Sequence, residues 1–213
     1  MIFEDWGLID YNKSLKKQSD YLEIVAADNN HPGFLIFCSH SAVVTTGRQT
    51  QVDDIFAWNG PITEVSRGGR ATYHGPSQLI IYPIVNLKKP RAGRGPQEVR
   101  GFIRALENCI VLTLSEYELQ SCGKTNTDAE SSLADTGVWV GEQKIASIGI
   151  AVRKWVSFHG AAINLLNDPL AFQGLNPCGY NSSVMTNLET CLNEEIDVNS
   201  FKEKIKTHCL KLL

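Results

Sequence analysis

The chain has 213 residues, 43% of them apolar and 20% charged, and carries a formal net charge of −3. That is enough for one sizeable core in a globular protein, and the acidic balance excludes a general nucleic-acid binder. No apolar stretch approaches the length of a membrane span, and Met1-Ile2-Phe3-Glu4-Asp5-Trp6 lacks the basic start and apolar run of a secretory signal, so a cytoplasmic protein is expected.

In chain order, Tyr11 to Ala27 has helical spacing, with Leu15, Leu22 and Val25 on one side. Phe34 to Cys38, Ala42 to Thr46 and Ile62 to Val65 read as short strands. The last of these feeds Arg67-Gly68-Gly69-Arg70-Ala71-Thr72-Tyr73-His74-Gly75. This run reads as a binding loop, because adjacent glycines let a ligand approach the main chain. Leu79 to Val85 is a strongly apolar strand whose Pro83 predicts a bulge or an edge position. Lys88 to Gly95 is a Pro/Gly/basic loop, and Pro96 fits the first position of a helix running to about Leu119. Ser121 to Thr136 is polar and weakly patterned, and reads as a long surface loop. Val138-Trp139-Val140, Lys144 to Val152 and Trp155 to Leu165 predict an antiparallel meander. Asp168 to Met185 reads as loop. Ser200-Phe201-Lys202-Glu203 is a capping-box pattern opening a last helix, with Phe201, Ile205 and Leu212 inward. Grouped strands with helices between and after them predict one α+β domain over 1–213.

Six cysteines are spread along the chain with no C-x-x-C pair and no zinc-like spacing. Cys38, Cys109 and Cys209 read as core packing. Cys122 and Cys191 receive no role. Cys178 differs, standing between Pro177 and Gly179 in a loop. Most cysteines are inert, so position alone leaves a reactive role open. A lone lysine in a hairpin is most often a solvated charge. Lys144, however, heads a strand rich in small residues (Ala146, Ser147, Gly149), where it can point inward and desolvation disfavours its charged form. His74 and His159 each precede a glycine, and each is either a structural imidazole or a site residue. Lys88, Lys89, Arg91, Arg94, Arg100 and Arg104 form a basic cluster, read as a solvated face or as steering for an acidic partner.

Four motifs then stand in order. They are Arg67-Gly68-Gly69-x-x-Thr72-Tyr73-His74-Gly75 followed by Gln78 and Tyr82, Gly141-Glu142-x-Lys144-Ile145-x-Ser147-x-Gly149, Ser157-Phe158-His159-Gly160-x-Ala162-x-Asn164, and Asn176-Pro177-Cys178-Gly179. On these the chain resembles, over nearly its whole length, the lipoyl(octanoyl) transferases. The resemblance implies a fold like the catalytic domain of the biotin and lipoate ligases, with a mixed or antiparallel sheet flanked by helices. It implies Cys178 as the acyl-thioester nucleophile and Lys144 as its partner. It places Arg67, Gly68, Gly69, Arg70, Ala71, Thr72, Tyr73, His74, Ser147, Ile148, Gly149, His159, Gly160, Ala161 and Ala162 around the acyl chain. The donor it implies is octanoyl-acyl carrier protein. The acceptors are lipoyl domains of 2-oxoacid dehydrogenase E2 subunits and the glycine cleavage H protein. No cofactor or metal, and a monomer, are expected. The departure is the stretch between Val85 and Val138, which reads as longer than usual in the family.

A thiol of ordinary pKa is little ionised at neutral pH, so Cys178 needs help, and Lys144 can give it as a cation or as a neutral base. A backbone N–H near Cys178 or Lys144 is the expected oxyanion donor. Other readings remain. An ATP-dependent ligase on the same fold needs no thiol, and no P-loop pattern is present. An amidotransferase between lipoyl domains also uses Cys and Lys. A Cys–His thiol hydrolase would pair Cys178 with His74 or His159, and a non-catalytic acyl-binding module would tolerate loss of the thiol.

Overall fold

The computed structural model describes residues 1–91, 94–125 and 135–213. Its main sheet has seven strands in the order β1-β2-β6-β10-β9-β8-β7. These are β1 (Ile2–Leu8), β2 (Phe34–Ser39), β6 (Gln78–Ile84), β7 (Cys122–Gly123), β8 (Gly137–Val140), β9 (Gln143–Arg153) and β10 (Val156–Asn164). Pairing is antiparallel except for β1 with β2. The architecture is α+β, and the meander expected from Val138 to Leu165 is β8, β9 and β10.

Burial follows the two-residue period of a strand. Leu35, Phe37, Leu79, Ile81 and Ile163 face one layer of helices, α2 (Val99–Ser115) and α4 (Val198–Leu212), and meet Phe102, Leu106, Ile110, Phe201 and Ile205 there. Phe34, Ile36, Ile80, Tyr82, Ile84 and Ala162 face the other way. They pack on Leu22 and Val25 of α1 (Tyr11–Ala27). A second sheet, in the order β4-β3-β5, closes over that same face. It consists of β3 (Val43–Thr46), β4 (Ile62–Glu64) and β5 (Thr72–His74).

Several local expectations change. Pro83 lies inside a strand paired on both sides, not at an edge and not in a bulge of its own. The pairs Ile81↔Ala161 and Asn86↔Val156 place it opposite His159. Proline has no N–H to give across that pair. His159 therefore leaves the β6 ladder: its backbone turns to φ 57 and its N–H donates to Gln18 Oε1 at 2.9 Å. Ser157 Oγ takes over the Pro83 carbonyl at 2.7 Å. The irregularity is displaced onto the neighbouring strand.

Pro96 does not open α2, which begins at Val99 and ends at Ser115, after Gln97 has taken φ 59. Part of the Gly-Gly loop is strand β5, and part of the expected 121–136 loop is β7, while 126–134 lie outside the described residues. β1 and the short helix α3 (Leu188–Leu192) carried no clear periodic signal. Ser200 is not the cap of α4. Asp197 is, with Oδ1 accepting from Asn199 N at 2.9 Å and Ser200 N at 3.2 Å.

This gives a direct test. Asp197→Ala should destabilise the protein by about 1 kcal/mol through loss of the cap, whereas Ser200→Ala should change stability by about 0.5 kcal/mol or less. Paired denaturant titrations would read the difference, and equal losses would restore the capping box at Ser200.

Candidate active site

The strand register builds the floor of one cavity. Ser147 pairs with Ala162 and Gly149 with Gly160, while Ile80 stands opposite Ala162 on β6. With Tyr82 two residues on, these six present one continuous face, and all six line a cavity of about 550 Å³, counting its solvent-open mouth. Arg67, Gly68, Gly69 and Arg70 form the roof, Thr72 and His74 one wall, and Tyr11 of α1 another. A Cβ at Gly149 would stand 3.0 Å from Arg67 Cδ and 3.4 Å from the Gly68 carbonyl, so the roof comes this close only over glycine.

Arg67 holds the roof. Its NH1 donates to the carbonyls of Gly68 (3.0 Å) and Arg70 (2.8 Å), and its NH2 to the carbonyl (3.0 Å) and Oγ1 (2.8 Å) of Thr45. Arg70 forms a two-point ion pair with buried Asp54. The Asp54 carbonyl in turn accepts from Asn176 N at 2.9 Å, and Asn176 Nδ2 donates to the Asp53 carbonyl at 2.8 Å. The roof and the cysteine loop are thus one tied unit. Within that loop Cys178 adopts φ 57, ψ 17, lines the cavity, and places Sγ 3.9 Å from Ser147 Oγ. Its own N–H is bonded to the Ala71 carbonyl at 2.9 Å, so an oxyanion donor near Cys178 or Lys144 has to be a different backbone N–H.

Lys144 reaches this region through a register fault. Three residues separate it from Ser147, and in a regular strand that puts the two on opposite faces. The β8–β9 ladder pairs Val138 with Ala146 and then Trp139 with Lys144, skipping Ile145. Ile145 and Ala146 are both in the helix-side core, as a bulge requires. The extra residue reverses the parity and turns Lys144 to the face of Ser147. Gly137, which pairs with Ser147 at φ 143, makes room. A Cβ there would lie 2.8 Å from Lys144 Cε and would collide with the Ala146 carbonyl. The lysine is fully buried, its Nζ 5.5 Å from the Trp139 ring centroid.

Both histidines line the cavity, and neither is bonded to Cys178. His74 stacks on Tyr11 with ring centroids 5.7 Å apart, and burial pushes its pKa well below the ordinary value. His159 is lowered to about 3, first by burial and then by the Arg67 charge. A base that weak suits neither an imidazolium–thiolate pair nor proton abstraction near neutral pH, which removes the support for a Cys–His hydrolase.

Most of the residues expected around an acyl chain do line this cavity. Ala71 and Tyr73 do not: they alternate away from Thr72 and His74 into the core beneath the small sheet, with Phe172 and Leu175. Tyr11, Ile80, Tyr82 and Thr136 line it unannounced. The period-two face of β6 could have indicated Ile80 and Tyr82, whereas Tyr11 depends on where α1 docks. The basic segment is less available than its composition suggested. Arg94 is buried and donates to the carbonyls of Leu87 and Lys89, and Arg104 pairs with Glu98. Leu87 N bonds the Trp155 carbonyl at the β9–β10 turn, so the segment sits at the far end of that hairpin from Ser147 and Cys178. Among the described residues no group of three or more His, Cys, Asp and Glu side chains is placed to hold a metal ion, and no helix is long and apolar enough to cross a membrane.

Comparison with known proteins accords with this geometry. The lipoyl protein ligase A/B catalytic domain family matches residues 10–210. The octanoyltransferase of Bdellovibrio bacteriovorus is 52% identical over 217 residues, spanning 100% of this chain and 99% of its own. A bi-partite lipoate protein ligase of Thermoplasma acidophilum, described together with its E2 lipoyl domain, has a TM-score of 0.65 at 16% identity, over 98% of this chain and 82% of its own. The biotin protein ligase of Aquifex aeolicus in complex with biotin and ATP gives 0.57 at 13% identity, over 97% and 68%. At these identities the two structures show a shared fold.

The histidine shifts predict how stability responds to acid. Unfolded, His159 takes up a proton below about pH 6.5, and folded it does so only near 3. Between those values acid draws the chain toward the unfolded state, by about 1.4 kcal/mol per pH unit for one such group, or about 2 kcal/mol at pH 5; above about 6.5 the penalty vanishes. His159→Asn, which tolerates the same backbone conformation, should therefore lose less stability than the parent between pH 7.5 and pH 5 in denaturant titrations. Identical pH slopes would mean that His159 titrates normally.

Proposed function

This chain belongs to the lipoyl protein ligase A/B catalytic domain family, within its octanoyltransferase branch, and on that premise we propose how its residues move an octanoyl group in lipoate biosynthesis. The donor is octanoyl-acyl carrier protein. The acceptor is a lysine of a lipoyl domain, on a 2-oxoacid dehydrogenase E2 subunit or the glycine cleavage H protein. The chain works as one catalytic domain over 1–213, as a cytoplasmic monomer, and its six free cysteines suit a reducing compartment.

Cys178 Sγ attacks the donor carbonyl. Cys178 reacts as a thiolate favoured by the positive charge of Lys144, its proton having gone to solvent. A new C–S bond forms, the carrier's C–S bond breaks, and the departing thiolate takes a proton back from solvent. This step needs charge at Lys144 but no proton carried by it. One thioester replaces another, so little energy separates the two. The acceptor amine, with an ordinary pKa of about 10.4, arrives mostly as ammonium and must shed one proton to solvent. Its nitrogen then attacks the acyl-enzyme. The C–N bond forms, the bond to Cys178 breaks, and Lys144 carries the second amine proton to the leaving thiolate. The acyl chain lies over the floor of Ser147, Gly149, Gly160 and Ala162. The observation that carries this reading is the skipped residue Ile145, which turns Lys144 onto the face where Ser147 touches Cys178.

Lys144→Arg separates a proton carrier from a fixed charge, because arginine keeps its proton in proteins. The variant should take up octanoyl from the donor and then discharge it to a lipoyl domain slower by on the order of 10²–10⁴. Intact-mass spectrometry after a donor pulse and an acceptor chase reads both halves. Rapid discharge from Lys144→Arg, or near-normal transfer by folded Cys178→Ser, would overturn the mechanism.

A further inference from the structure

We propose that His159 is the wall that sets acyl-chain length, and that the space behind it takes the distal carbons of a longer chain once the imidazole is removed. This rests on the octanoyl-transfer reading above. Behind His159 lies a second cavity of about 490 Å³, counting its mouth, with Leu15, Leu22, Val65 and Phe158 as its apolar lining and Ser19, Glu64, Ser66 and Arg153 as its polar lining.

Four chain segments line the first cavity and run on to line the second. On α1 the lining passes from Tyr11 to Leu15, one turn further along. In the segment before β5 it passes from Arg67 to Ser66 and Val65. On β10 it passes from Gly160 to Phe158, and on β9 from Gly149 to Arg153. All four progress in the same sense, so the two spaces are successive compartments of one slot. Among the described residues His159 alone lines both.

The depth fits. Ser147, beside the Cys178 sulfur, pairs with Ala162, and three residues separate Ala162 from His159. At the strand rise this is roughly 10 Å, comparable with the reach of an extended eight-carbon acyl chain. The wall is also chemically suited to a methyl terminus. His159 is 4% exposed, and burial keeps its ring uncharged at neutral pH. Its φ of 57 aims it where a regular strand residue would not stand, and this departure is permitted by Pro83 opposite. Glycine takes that backbone conformation without strain, so His159→Gly opens the wall with the least disturbance of β10.

The test compares kcat/KM for octanoyl and dodecanoyl thioesters of acyl carrier protein. His159→Gly should raise the dodecanoyl-to-octanoyl ratio by on the order of tenfold or more, since one methylene in an apolar pocket discriminates about 10–200-fold. Ser19→Phe fills the second cavity from α1. Alone it should leave octanoyl transfer unchanged, and combined with His159→Gly it should cancel the gain. An unchanged ratio in a folded His159→Gly that still transfers octanoyl overturns the proposal, as does a gain indifferent to Ser19→Phe. Should His159→Gly fail to fold, His159→Asn serves, with a smaller shift in the same direction expected and no shift refuting. Absence of octanoyl transfer from the unaltered protein would instead refute the function proposed above.

Discussion

Arg67 is a cation buried at 6% exposure, and the oxygens it bonds are all neutral: three carbonyls and one hydroxyl. Taking a charge out of water without a carboxylate is costly, and burial accordingly lowers its pKa. An anionic sulfur at Cys178 acts in the opposite direction and favours the guanidinium. The roof loop, the small sheet carrying Thr45 and the thiol loop therefore meet around one buried charge. The same positive potential opposes protonation of His74 and His159. A single buried side chain thus fixes the shape of the roof and adds to the effect of burial on the histidines beneath it.

Two interruptions of the ladder do the rest of the positioning. On β9 the extra residue Ile145 reverses the parity of the strand and delivers Lys144 to the thiol side. On β10 the missing N–H of Pro83 releases His159 from its pair. Both lie beside the cavity, where bulges commonly re-aim side chains. A perfectly regular sheet of the same sequence would bury Lys144 among the leucines and isoleucines of the α2 and α4 layer.

Much of this could be read from the sequence, and the misses have physical reasons. α1 came through residue for residue because its apolar stripe is at helical spacing along its whole length. The meander came through because its turns are marked by Gly141 and by Lys154-Trp155 between apolar strands. β1 was missed because its one-sided pairing leaves it half exposed and without alternation. Pro83 was misplaced because the rule for proline in strands speaks of its own strand, whereas here the neighbour yields. Cys178 and Lys144 were recognisable as motif residues, but nothing in residue spacing alone joins them. Their placement on one side of the sheet depends on one skipped pair in β8–β9, and Ala71 and Tyr73 fall outside the cavity because the glycine loop becomes a strand after Arg70.

The division of labour in the cavity follows from these constraints together. A buried imidazole that picked up a proton would place a further charge beside Arg67 at the cavity wall. Burial is the main obstacle to that proton at both rings and the Arg67 charge adds to it, so neither histidine has useful basicity near neutral pH. On the proposed mechanism the proton is then handled by a group that does not line the cavity. Lys144 fits that role: it does not line the cavity, it is fully buried against Gly137, and the bulge turns it to the face of Ser147, whose hydroxyl lies 3.9 Å from the Cys178 sulfur. The histidines shape the site as neutral rings chiefly because they are buried, and the bulge sets Lys144 apart from the cavity that they line.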